Sequence, residues 1–165
     1  TNDAASGSSF EKKVTENGVY ASLAFMYFSA GVPFIYNGCE IANKAPHSLF
    51  ANRFCGRLAS DWSVALTERG RKRMEFIKRL NFIKHTETAL QGGGFKWIEN
   101  SCTNETLAFE REKNGEKIAF YINLSNKSIA LSICEFSDII MYQDAAAENG
   151  QLHMSAHGFA ALRVK

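Results

Sequence analysis

The 165 residues carry a formal net charge of +2, with 45% hydrophobic residues, 22% charged residues and 13 phenylalanines. Such a composition can bury a core and excludes a disordered or fibrous chain. So small a charge supplies no concentrated basic field, so neither a nucleic acid nor a membrane surface is expected as partner.

The length suits one domain, or a piece of one with a small second domain. Thr1-Asn2-Asp3 precede a helix predicted over residues 10–30, in which Val19, Tyr20, Leu23, Ala24, Met26, Tyr27 and Phe28 cover more than one face. A helix so widely apolar is expected between two layers. Gly31 offers a left-handed cap and Pro33 forbids continuation, so the stop is well marked. Residues 34–36 read as a short buried strand, and Asn37-Gly38 turns the chain into a polar stretch running to about residue 60. A connection of that length suits a functional or rim loop. A buried strand fed by a helix needs parallel neighbours on both sides, which the remaining sequence does not supply, so the chain reads as beginning in mid-fold.

Thr67 is the expected N-cap of a second helix ending near His85, with Met74, Ile77, Leu80 and Ile83 along one stripe. Arg69, Arg71, Lys72, Arg73, Lys78, Arg79 and Lys84 read as its solvated face. Gly92-Gly93-Gly94 marks a change of composition; no G-K-[ST] follows, so it is a turn into the next unit rather than a phosphate loop. From Phe95 onward the period is two, through Trp97, Leu107, Phe109, Ile118, Phe120, Ile122, Leu124, Ile129, Leu131 and Ile133. These are half-buried antiparallel strands, and Lys113-Asn114-Gly115-Glu116 is a type I′ hairpin between two of them. With residues 138–142, 151–154 and 159–164, about seven strands are expected in a small Greek-key sandwich. The fold class is therefore α+β, divided into residues 1–90 and 91–165.

Cys39, Cys55, Cys102 and Cys134 form no C-x-x-C pair and read as buried thiols. The sequons at Asn104, Asn123 and Asn126 read as chance matches. His153 and His157 stand four apart, flanking an expected turn between strands, without an acidic or thiolate companion at ligand spacing, so no metal site is assigned. Glu40 is expected to make a structural hydrogen bond. Trp62, Trp97 and Tyr142 offer aromatic faces for stacking where exposed, with core packing expected for Trp97. No secretory leader pattern is present, and a piece of a longer protein would lack one in any case, so the compartment is unassigned.

Asn2-Asp3, the apolar helix, the stretch Gly31-Val32-Pro33-Phe34-Ile35-Tyr36-Asn37-Gly38-Cys39-Glu40, then Asp61-Trp62 and the basic helix before antiparallel strands resemble the carboxyl-terminal part of the α-amylase family of glycoside hydrolases. The resemblance spans nearly the whole chain. It implies the last units of a (β/α)₈ barrel, with the G-x-P-x-I-Y stretch of residues 31–36 as its eighth strand, followed by the all-β domain C. A retaining glycosidase needs a carboxylate nucleophile and a protonated acid about 5 to 5.5 Å apart. The resemblance implies that both come from strands upstream of Thr1, and that Asp3 is the third carboxylate, a transition-state stabiliser that binds sugar hydroxyls. Asn2 stands where the family usually has His; it hydrogen-bonds a sugar but does not titrate near neutrality. The expected partners are an α-glucan oligosaccharide in the parent protein and the upstream barrel segment. No cofactor is expected, and any calcium of the parent would take its ligands from regions outside this chain.

The chain alone is thus expected to be inactive on α-glucans such as starch and maltodextrin, and to self-associate through the apolar face of its first helix and strand. The rival reading is a non-catalytic carbohydrate-binding or accessory module. Substrate linkage, and hydrolysis as against transfer, are not encoded in these motifs.

Overall fold

The structure is a computed structural model that describes residues 14–44 and 61–165. It has two α-helices, α1 (Glu16–Phe28) and α2 (Glu68–Thr86), with 3₁₀ turns at Cys39–Ile41, Trp62–Leu66 and Thr88–Leu90. Six antiparallel strands follow: β1 (Gly94–Trp97), β2 (Thr106–Lys113), β3 (Glu116–Asn123), β4 (Ile129–Ser132), β5 (Phe136–Glu148) and β6 (Gln151–Val164).

Both helices start where a side chain can satisfy their first free N–H groups. Thr15 accepts from Gly18 N at 3.1 Å and Thr67 from Gly70 N at 3.1 Å. Helix α1 stops at Phe28 with Ser29, in extended backbone, as its C-cap; Gly31, expected as a left-handed cap, lies two residues further on, where it takes a positive φ of 99°. No basic side chain lies in the last turn of α1. Cations from elsewhere in the chain meet its terminal carbonyls instead. Lys84 Nζ donates to Tyr27 O at 2.9 Å and Ser29 O at 3.2 Å, and Arg111 Nη1 donates to Phe28 O at 3.2 Å and Ser29 O at 2.7 Å. They complement the negative end of the helix dipole. The other side of the Arg111 fork reaches Gly93 O and Gly94 O, both within 2.9 Å. Its side chain, on a residue only 1% exposed, therefore ties the end of α1 to the chain entering β1.

The strand order is β1-β2-β3-β6-β4, with β5 also paired to β6. Two Asn-Gly hairpins set the registers: Asn114-Gly115 (φ 55° and 82°) closes β2 on β3, and Asn149-Gly150 (φ 53° and 74°) closes β5 on β6. Residues 151–154 and 159–164, expected as separate strands, are one strand. The polar break between them is an irregularity within the ladder, not a turn. There β5 and β6 shift register near Asp144, and Asp144 and His157 both adopt left-handed backbone. Gly158 is required at this point, because a Cβ would meet the Asp144 carbonyl oxygen at 2.5 Å.

The sheet is covered on both faces. On one, Phe109, Phe120 and Phe159 form a ring row against α1, with Phe28 stacked on Phe120 at 5.0 Å and Phe25 edge-on to Phe109 at 5.9 Å. Helix α2 adds Leu80 and Ile83 to the same core, so α1 lies between two layers, as its all-round apolarity predicts. On the other face Ala108, Ala119, Tyr121, Leu131, Leu152, Met154, Ala160 and Leu162 make a second cluster. Strand β3 is consequently buried on both faces from Ile118 to Asn123, rather than half-buried as its period suggested. Each phenylalanine buried this way contributes about 2 to 3 kcal/mol.

Three local expectations are corrected. Residues 32–36 pair with no strand among the described residues, and Val32 and Phe34 are 94% and 79% exposed. An apolar strand without neighbours has nothing to bury against. Arg73, placed with the solvated basic residues of α2, is fully buried. Of the cysteines, Cys134 is exposed in the β4–β5 connection, Cys39 and Cys102 are half-buried, and Cys55 lies outside the described residues.

Candidate functional site

Asp3 and Asn2, the residues to which the resemblance gives roles, lie outside the described residues. The neighbouring part that the structure does describe is a corner made by the start of α1, the turn after residue 36 and the start of α2. Gly38 enters the turn with left-handed backbone (φ 93°) and Ala42 leaves it the same way (φ 59°). Between them Cys39 N donates to Tyr36 O at 2.9 Å and Asn43 N to Gly38 O at 2.9 Å, which closes the turn on itself.

Two arginines one helical turn apart on α2 hold this turn by its carbonyls. Arg69 Nη1 donates to Ala42 O at 2.8 Å, and Arg73 Nη1 to Cys39 O at 3.3 Å. Glu16, in the first turn of α1, pairs with both guanidinium groups: Oε2 lies 2.8 Å from Arg69 Nε and Oε1 lies 3.7 Å from Arg73 Nη2. The Arg73 guanidinium also sits 4.7 Å from the centre of the Tyr20 ring. A buried cation requires such compensation, since stripping its water costs several kcal/mol. The i, i+4 spacing of Arg69 and Arg73 was legible in the sequence, but the choice of Arg73 as the buried member was not.

Neither Glu40 nor Glu16 is arranged as an acid or a nucleophile. Glu40 Oε2 accepts from Gly38 N at 2.8 Å, the structural hydrogen bond expected of it, and Glu16 is engaged by two arginines. What the corner does is fix the backbone path of the turn that follows residues 32–36. Trp62 lies nearby in sequence, on a 3₁₀ turn whose N-cap Asp61 accepts from Ser63 N at 3.0 Å.

The remaining candidates are scattered. Trp62, Trp97 and Tyr142 are all exposed. For Trp97 this corrects the expectation of core packing, because β1 is a four-residue edge strand and all its residues are exposed. His153 and His157 lie on one strand; His157 Nε2 is 2.9 Å from Asn126 Oδ1, a contact within the sheet region. Among the described residues no group of three His, Cys, Asp or Glu side chains converges as a metal site. No helix among them is long and apolar enough to cross a membrane. Asn123, a sequon residue, is buried with its amide donated to Lys127 O and Ser155 O at 2.7 and 2.9 Å.

No family model matches the chain. It is 28% identical over 121 residues to the Beta/alpha-amylase of Paenibacillus polymyxa, a match covering 72% of this chain and 9% of that protein. In fold it is similar to the trehalulose synthase MutB from Pseudomonas mesoacidophila MX-45, with a TM-score of 0.66 and 14% identity. It is likewise similar to Eubacterium rectale Amy13B, with a TM-score of 0.69 and 16% identity. Those superpositions cover 91% of this chain but only 38% and 35% of the two solved structures. The chain thus spans a minor part of each of these three proteins. It has the fold of the carboxyl-terminal part of the α-amylase family and resembles that family in sequence.

Proposed function

We propose that this chain is the carboxyl-terminal segment of an α-amylase-like glycosidase that acts on α-glucans, and that it contributes the last corner of the active site together with domain C. The observation that carries the reading is the coverage: nearly all of this chain superposes on little more than a third of MutB and of Amy13B. The unpaired, exposed Val32 and Phe34 support it, since a barrel's eighth strand needs neighbours from earlier in the barrel. In this reading residues 1–90 complete the barrel and residues 91–165 form the all-β domain.

The division of chemical labour follows from the retaining mechanism. The nucleophile and the acid/base belong to the upstream segment, so the chain alone does not cleave a glycosidic bond. Asp3 hydrogen-bonds sugar hydroxyls and stabilises the positive charge that builds on the ring in the oxocarbenium-like state. Asn2 presents an amide beside it that donates and accepts without titrating, so no imidazole at this position shapes the parent's pH profile. Arg69, Arg73 and Glu16 hold the turn after the eighth strand, on the rim where such sites are built.

The test is to assay the chain on maltooligosaccharides alone and joined to its upstream segment. Turnover in the joined form and none in the isolated chain supports the reading; turnover by the isolated chain ends it.

A further inference from the structure

The free edge of β1 carries a groove that neither the corner nor the core uses. Trp97 forms one wall, and Lys96, Ile98, Glu99 and Glu110 complete the lining. The indole is 56% exposed, yet its position is fixed. It stands edge-on to Phe95 at 5.0 Å and edge-on to Phe109 at 6.0 Å, and Phe109 is fully buried in the helix-facing core. An exposed ring held by core rings loses little conformational freedom when a ligand stacks on it, which removes a usual cost of binding.

The polar groups narrow the class of ligand. Glu110 lies 3.5 Å from Lys117 and is the cross-strand neighbour of Lys96, and Glu99 stands exposed beside the ring. Glu99, Glu110 and Glu112 set against Lys96 and Lys117 make no anion site, which disfavours a polyphosphate backbone. A peptide strand added to this edge would find only four residues, with a lysine among them, to pair with. An uncharged polyhydroxylated ring suits all the features: an apolar face for the indole, and hydroxyls that donate to carboxylates and accept from an ammonium group.

We infer that the Trp97 groove binds a glucosyl unit of an α-glucan, with the ring face on the indole and hydroxyls on Glu99 and Lys96. This inference rests on the α-glucan reading above for the identity of the sugar. The probe is maltoheptaose, titrated into the full 165-residue chain carrying Trp62→Phe, so that Trp97 is the sole tryptophan and is excited selectively at the red edge of its absorption. A saturable change with Kd on the order of 1 mM is expected. Glu99→Gln in that background should weaken binding about threefold or more. In affinity electrophoresis through a gel containing starch, Trp97→Ala, and separately the gentler Trp97→Phe, should migrate faster than the parent chain, with far-UV spectra confirming that each is folded. No saturable signal from the folded Trp62→Phe chain, or unchanged retardation of both folded Trp97 variants, overturns the inference. Activity of the joined protein on maltooligosaccharides reports separately on the α-glucan reading, so a silent groove in an active parent removes this site alone.

Discussion

The β-sheet and the corner at residues 32–43 answer the same problem in opposite ways. Both begin from apolar sequence. In the sheet, every inward side chain of β3 finds cover, from Phe28 and Phe25 of α1 on one side and from Leu131, Leu152 and Met154 on the other. In the corner Val32 and Phe34 face solvent, and what holds the turn in place is charge: Glu16, Arg69 and Arg73 on backbone carbonyls. Among the described residues, apolar contact is complete around β3 and polar fastening prevails at the corner. The contrast is the physical form of the proposal that the sheet is a finished unit and the corner an unfinished one.

The sharpest way to test the sheet side of the comparison is at the joint between α1 and the chain entering β1. Arg111 meets four backbone carbonyls, those of Phe28, Ser29, Gly93 and Gly94. Replacing it with Met leaves these acceptors without their buried donor and should cost about 3 kcal/mol or more in chemical denaturation. A loss below about 1 kcal/mol would show that packing alone joins helix and sheet. The next effect concerns the corner itself. Val32→Ser with Phe34→Ser should weaken self-association of the isolated chain roughly tenfold or more in sedimentation, given ~25 cal/mol per Å² of apolar surface. A chain that is monomeric before the substitutions contradicts an unsatisfied barrel face.

A smaller, pH-dependent effect probes the sheet side. The Glu116 carboxylate accepts from Thr88 N at 3.2 Å and Ala89 N at 3.1 Å, capping the turn that leads from α2 into the sheet. Burial by itself raises its pKa, but these backbone donors and the nearby Arg163 outweigh it and hold the carboxyl below its ordinary value. The charged form is thus favoured on folding. Its contribution is fully present above the ordinary carboxylate value and is lost as the pH falls through the lower, folded one. Glu116→Gln should therefore cost about 1 kcal/mol near neutrality, and the gap from the parent chain should close on acidification. A gap that is constant from neutral to strongly acidic pH would contradict this assignment.

The sequence carried much of this fold because its strongest signals are local. Thr67 and Asn114-Gly115 act through a cap and a turn that need only their neighbours in the chain, and each takes the conformation read from it. Asn149-Gly150 carries the same local hairpin signal. The misread features depend on distant parts of the molecule. Strand pairing of residues 34–36 depends on neighbours, the exposure of Trp97 on β1 being at an edge, and the burial of Arg73 on Glu16 and Tyr20 arriving from another helix. The break before Gly158 misled for a related reason. A bulge and a turn use the same small and polar residues, and only the partner strand distinguishes them. Of the candidate site, Glu40 was legible as a structural acceptor, and the fixing of its turn by two arginines was not.

The most direct test of the central claim is the rate of maltooligosaccharide cleavage by the chain joined to its upstream segment, with and without Asp3→Asn, beside the isolated chain. We predict no turnover by the isolated chain, turnover by the joined protein, and a loss of about 10²-fold or more in kcat when Asp3 is replaced. Cleavage by the isolated chain, or a joined protein indifferent to Asp3→Asn, would contradict the account.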